Sequence, residues 1–230
     1  MKTTTITLSF SLALALASSA ETVSILLNVG STSENLNSTK KKKGGETTVT
    51  TANDFRVADP KIAQMAPVNR VTGITGTVWY LLGFTPLVDS KGENHEIELS
   101  GEQCLAYNAG PKTWTDQTPI LDSYIASTDT SPPRITVHGI KEAKGTITLT
   151  LWGIGYKQRL QARFTPSYGG KTLDPKSTNF GNDMRASDGC VPFVQFSFEA
   201  DGKSDSISFE WDNPDGDQAC LNGFAITYDQ

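Results

Sequence analysis

Histidine and cysteine are scarce in this chain, with two and three in 230 residues. Side-chain chemistry that depends on clusters of either is therefore poorly provided for. His95 lies in Asn94-His95-Glu96 and His138 closes an alternating polar and apolar run. Neither has a serine or cysteine nucleophile motif beside it, and both read as exposed histidines. HExxH and G-x-S-x-G are absent, which removes the motif-based hydrolase readings. Carboxylates that converge only in space stay open, so a polysaccharide lyase or glycosidase is kept as an alternative. Cys104, Cys190 and Cys220 are too widely spaced to suggest a metal site.

Charge of one sign is also missing. The formal net charge is −5, with 20 basic and 25 acidic residues, so nucleic acid and anionic membranes are disfavoured as partners. Long apolar runs are confined to the N-terminus. There Met1-Lys2 precedes an apolar stretch over 6–17 and the small residues Ser18-Ser19-Ala20. This is the pattern of a secretory signal peptide over 1–20, too short to span a bilayer. The expected product is a secreted protein, extracellular or periplasmic, that starts at Glu21. In an oxidising compartment three cysteines imply one disulfide and one leftover thiol. Cys190 and Cys220 each precede a predicted strand and are paired here, although sequence alone leaves the other pairings open.

What is present is alternation. Val23, Ile25, Leu27 and Val29 share one face of a first strand. The stretch 132–164 reads as three consecutive strands of one sheet, carried by Ile135 and Val137, then Ile147, Leu149 and Leu151, then Leu160, Ala162 and Phe164. Three more strands close the chain, with Val194, Phe196 and Phe198, then Ile207, Phe209 and Trp211, then Phe224, Ile226 and Tyr228 on their apolar faces. Asp201-Gly202-Lys203 reads as a hairpin turn between the first two. Residues 31–51, with Lys40 to Lys43, read as a mobile loop whose lysines are either a solvated tip or an anion patch. The segments 103–131 and 165–189 also read as loops. Asn37-Ser38-Thr39 is a glycosylation sequon. The expectation is an all-β, single-domain jelly-roll β-sandwich over 21–230 with about eight or nine antiparallel strands.

The order of short motifs resembles that of secreted galactose-binding-like β-sandwich domains of exported bacterial proteins. Those motifs are Ile25-Leu26-Leu27-Asn28-Val29-Gly30, Trp79-Tyr80-Leu81-Leu82, Leu87-Val88-Asp89-Ser90-Lys91-Gly92, Pro133-Arg134-Ile135-Thr136-Val137-His138-Gly139-Ile140, Thr148-Leu149-Thr150-Leu151-Trp152-Gly153 and Leu221-Asn222-Gly223-Phe224-Ala225-Ile226. Where such domains have Tyr entering the central strand, this chain has Gly145-Thr146. The resemblance implies the sandwich fold and a carbohydrate ligand, while fold by itself does not set function.

Sugar rings stack on Trp or Tyr while amides, carboxylates and guanidinium groups meet their hydroxyls. Tyr107, Asn108 and Trp114 form one such group, Tyr156 and Arg159 a second, and Asn182 and Asp183 a third. Each aromatic has a plainer reading as a plug over one end of the core, and Trp79, Trp152 and Trp211 are read as core. Asp212, Asp215 and Asp217 surround a Gly turn and read either as a structural calcium site or as a simple turn. The leading expectation is a non-catalytic carbohydrate-binding module that recognises a polysaccharide or glycan, without a cofactor other than possible structural calcium. A structural surface or matrix protein is the alternative from another class.

Overall fold

The computed structural model describes residues 21–30, 46–50, 68–72, 78–79, 87–100, 104–108, 123–127, 132–153, 162–178, 193–213 and 219–230. In chain order the strands are β1 (Thr22–Gly30), β2 (Glu46–Thr50), β3 (Val68–Thr72), β4 (Val78–Trp79), β5 (Leu87–Val88) and β6 (Asn94–His95). They continue as β7 (Ile97–Ser100), β8 (Cys104–Asn108), β9 (Ser123–Ser127), β10 (Arg134–His138), β11 (Lys144–Trp152) and β12 (Arg163–Tyr168). The last are β13 (Lys171–Thr172), β14 (Lys176–Ser177), β15 (Val194–Glu199), β16 (Ser206–Asp212), β17 (Ala219–Leu221) and β18 (Gly223–Asp229). The chain is an all-β sandwich. It has more strand segments than expected because several are two or three residues long, and because β2, β8, β9, β13 and β14 fall in stretches read as loops. Among the described residues no helix is long and apolar enough to cross a membrane.

Two sheets enclose the core. One runs β15-β11-β18-β1-β3-β2 and the other β13-β12-β16-β10-β7, with β14 against β12. Pairing is antiparallel except between β1 and β3. The alternation predicted for the long strands is what the core uses: Val23, Ile25, Leu27, Ile147, Leu149, Leu151, Phe196, Phe224 and Ile226 face Ile135, Val137, Phe164, Ile207, Phe209 and Trp211 in one cluster. Phe209 sits at its middle, edge-on to Phe164 and Phe224 with ring centroids 6.3 and 5.4 Å away. Trp152 and Trp211 are fully buried, as expected; the Trp79 side chain lies outside the described residues.

Sheet membership departs from the sequence reading. The stretch 132–164 is not three neighbours in one sheet: β10 and β12 belong to one sheet and β11 to the other. From β10 onward the longer strands alternate, β10, β12 and β16 on one side and β11, β15 and β18 on the other. Period two reports which face is buried, not which strand lies alongside. For the same reason Asp201-Gly202-Lys203 is not a hairpin turn, because β15 and β16 lie in opposite sheets. It is a crossover corner locked by one carboxylate. Asp201 accepts the Ser204 hydroxyl at 2.6 Å, the Ser204 and Lys203 amides at 2.7 and 2.9 Å, and the Tyr168 hydroxyl at 3.1 Å.

A further four-stranded sheet, β17-β9-β8-β4, lies against β1 through β8 and β9. Correspondingly, the central sheet is buried on both faces. Thr150, Ala225 and Leu26 form one cross-strand row and are all buried, although they point away from the main core.

The Ser204 hydroxyl, the two amides and Tyr168 hold Asp201 well below the ordinary carboxylate range. A depressed carboxylate stabilises the fold fully above its unfolded pKa of about 3.9, and that contribution fades as the pH falls below it. Replacing Asp201 with Asn should therefore flatten the acid limb. Urea midpoints followed from pH 6 down to pH 3 are expected to fall more steeply for the wild type than for Asp201→Asn.

Candidate functional site

The structure gathers the entry and exit points of three of the loops that carry predicted site residues. Loop 154–161 (Tyr156, Arg159) leaves after Gly153 and returns at Ala162. Loop 179–192 (Asn182, Asp183, Cys190) leaves after Thr178 and returns at Phe193. Loop 214–218 (Asp215, Asp217) leaves after Asn213 and returns at Ala219. The loop residues themselves lie outside the described part of the chain, but their anchors meet at one end of the sandwich.

Thr178 is the junction. It is 1% exposed, and its Oγ1 donates to the Gly153 carbonyl at 2.6 Å and accepts from the Ala162 amide at 3.2 Å. Its own amide donates to the Ala162 carbonyl at 2.9 Å. One side chain thus satisfies a backbone group on each side of loop 154–161, from the position where loop 179–192 begins. Gly153 is required here by space. A Cβ at that position would meet the Cys220 carbonyl oxygen, and would lie 2.6 Å from both Ala162 Cβ and Phe164 Cζ. Close beside it, Phe193 packs on Trp152 with ring centroids 6.2 Å apart, and the Asn222 amide donates to the Trp152 carbonyl at 2.9 Å. Phe193, at the return of loop 179–192, is the exposed large hydrophobic side chain among the described residues.

The third loop is anchored by an ion pair on the solvent face. Arg163 Nε donates to Asp212 Oδ1 at 2.8 Å while Nη2 donates to Oδ2. This two-pronged contact raises the Arg163 pKa. Both oxygens of Asp212 are thereby engaged, and a calcium ion would have to draw Asp212 away from Arg163; Asp215 and Asp217 lie outside the described residues. No group of three or more metal-ligating side chains occurs among the described residues. Farther along the same face, Arg134 pairs with Glu210 and the Ser167 and Ser208 hydroxyls are hydrogen-bonded at 2.8 Å.

The remaining predicted residues are placed as follows. Tyr107 and Asn108 lie at the end of β8, opposite Tyr124 and Ser123 of β9, where loop 109–122 leaves; Trp114, within that loop, is outside the described residues. Cys220 is in β17 and fully buried, and burial raises its thiol pKa. No disulfide occurs among the described residues, and Cys190 is not one of them. Leu105, Ala126 and Cys220 are register partners across three strands, so Cys104 stands two strands from Cys220 and one residue out of phase. Two strand spacings are about 9.5 Å, beyond the reach of a disulfide. His95, read as exposed, is buried at 4%. Thr178 was missed altogether, since nothing in Lys176-Ser177-Thr178 distinguishes it from an ordinary polar connection.

No protein-family model and no curated protein sequence matches the chain. Among solved structures it is similar to the ANXUR1 extracellular domain from Arabidopsis thaliana, at TM-score 0.41 and 12% identity over 57% of this chain and 40% of that one. It is also similar to TmCBM61 in complex with β-1,4-galactotriose, at TM-score 0.35 and 12% identity over 58% and 88% of the two chains. A third is the CBM36-1 domain of a multidomain xylanase from the hindgut metagenome of Trinervitermes trinervoides, at TM-score 0.33 and 16% identity over 58% and 96%. The chain spans about two fifths of the ANXUR1 ectodomain.

Replacing Thr178 with the near-isosteric valine leaves the Gly153 carbonyl and the Ala162 amide without this partner. A buried unsatisfied group costs about 1–3 kcal/mol. Thr178→Val is expected to lower unfolding stability by about that amount in urea titration, without changing the far-ultraviolet spectrum of the native state.

Proposed function

We propose that the chain is an exported, non-catalytic carbohydrate-binding module that takes a polysaccharide or glycan at the Thr178 end of the sandwich. The observation that supports this reading is the convergence of loop anchors. Tyr156 with Arg159, and Asn182 with Asp183, are carried by loops tied to one another through Thr178, Gly153 and Ala162. A sugar requires a stacking aromatic together with hydroxyl-binding side chains, and these segments contain both residue types next to anchors that meet. In the same proposal Tyr107 and Asn108, at the end of β8, and Trp114, in the segment that follows, are candidates for a second aromatic element. Secretion is proposed from the N-terminal pattern at 1–20. Structural calcium at Asp212, Asp215 and Asp217 belongs to the same proposal only if Asp212 exchanges Arg163 for the ion.

Affinity electrophoresis of the full mature chain through gels containing β-1,4-galactan, xylan or cellulose tests this directly. Retardation on at least one polysaccharide is expected. Loss of a stacking ring costs roughly 0.5–1.5 kcal/mol beyond lost contact area, so Tyr156→Ala and Trp114→Ala should weaken retention by about tenfold. The reading fails if no polysaccharide retards the protein, or if both variants run as the wild type does. New reducing ends or unsaturated products would assign cleavage instead. Self-association without retention would assign a structural role.

A further inference from the structure

Toward the other end of the sandwich, the β5–β6 turn is held by a buried acid–imidazole pair that the proposed function does not use. Ser90 completes the edge of β1 where β3 does not reach. Its amide donates to the Ser24 carbonyl at 2.9 Å and its Oγ accepts from the Ser24 amide at 3.0 Å. One residue earlier, Asp89 Oδ1 accepts the Lys91 and Glu93 amides at 2.8 and 2.9 Å, closing the turn. Asp89 Oδ2 then lies 3.0 Å from His95 Nε2, with the two side chains 3% and 4% exposed. The other ring nitrogen, His95 Nδ1, lies 3.1 Å from the carbonyl oxygen of His138, at the end of β10. Gly139, at φ +86°, follows immediately and leaves room for the ring, since a Cβ there would approach Nδ1 to 3.0 Å.

Hydrogen-bond stoichiometry sets the protonation. A carbonyl oxygen only accepts, so Nδ1 must carry a proton to make the His138 contact. Asp89 Oδ1 is already occupied by two backbone donors, and an ionised carboxylate only accepts, so Nε2 carries a proton as well. A neutral imidazole has one proton for these two acceptors. The surrounding groups leave the role of counter-ion to the ring. Tyr228 of β18 is pushed up to about 12 by burial and by Asp89 and Glu93, and so stays neutral. Lys91 Nζ is directed to Gln230 Oε1 at 2.8 Å and to Glu21 at 3.3 Å. The His138 ring faces Glu98 of β7 at 3.7 Å, and Asp205 approaches through its backbone carbonyl, which accepts the Gly139 amide.

We propose that His95 is held as an imidazolium in the folded chain, so that Asp89, His95 and the His138 carbonyl form a proton-dependent clasp joining the β1 edge of one sheet to the end of β10 in the other. Loss of one ring proton removes one of the two contacts and leaves Asp89 buried without its counter-charge. The clasp is therefore closed while the ring holds both protons, and opens when rising pH removes one.

Long-range ¹H–¹⁵N spectra of the uniformly ¹⁵N-labelled chain decide this, with the more exposed His138 as internal reference. Both His95 ring nitrogens should show imidazolium shifts at pH 7, each with an attached proton. A single unprotonated His95 nitrogen at pH 7 overturns the proposal, and this readout needs no variant. Asp89→Asn, which keeps an acceptor but removes the charge, should return the ring to one proton; if that variant still shows an imidazolium, Asp89 is not what holds the second proton. In the wild type, amide protection factors at Lys91 and Glu93 should fall by about tenfold or more once the ring is deprotonated. Unchanged protection through that step would contradict the clasp.

Discussion

The last strand of the chain lies in the middle of a sheet. β18 pairs with β11 on one side and β1 on the other, and the apolar rows that make the core run through it. Phe196, Leu149, Ile226 and Ile25 form one row across four strands; Val194, Leu151, Phe224 and Leu27 form the next. Burying a side chain of this size contributes about 1.5–3 kcal/mol. Without Phe224 and Ile226 each row is broken at its centre, and β1 and β11 lose their common neighbour. The sheet joins residues more than two hundred positions apart: Thr22 Oγ1 donates to Asp229 at 3.0 Å, and the Gln230 amide donates to the Glu21 carbonyl at 3.1 Å. Such pairing carries a loop-closure cost that grows with sequence separation and slows folding.

The alternation of strands between sheets explains how one frame serves two ends. Because β10, β12 and β16 stand opposite β11, β15 and β18, each connection crosses from one layer to the other at an end of the sandwich. At one end Thr178 ties Gly153 to Ala162, the residues that flank segment 154–161. At the other, short corners are closed by single side chains: Asp201 between β15 and β16, and the Asp89–His95 pair beneath the β5–β6 turn. Among the described connections away from the Thr178 end, the corner between β15 and β16 and the β5–β6 turn are each closed by a carboxylate.

Most of the frame was legible in the sequence. Period-two alternation correctly marked the inward faces of β10, β11, β15, β16 and β18, since burial on one face needs no knowledge of the partner strand. Partnership itself was not legible. Ile135 and Ile147 carry the same pattern, yet their strands lie in opposite sheets. His95 looked exposed because Asn94 and Glu96 flank it, and only the fold brings Asp89 and the His138 carbonyl to its two nitrogens. Thr178 shows the same limit, since its role comes from Gly153 and Ala162, which reach it through long-range folding. For the candidate site, residue types could be named in advance, but the meeting of the flanking anchors Gly153, Ala162 and Thr178 is encoded by no local pattern.

If β18 is the centre on which the frame depends, its amides exchange only when the whole domain unfolds. Native-state hydrogen exchange across a urea series measures this residue by residue. The account predicts that amides of β18 merge with those of β1 and β11 into the most protected group, with the same urea dependence as global unfolding. Exchange of β18 through a local opening, at lower free energy and with little urea dependence while β1 and β11 stay protected, would contradict it.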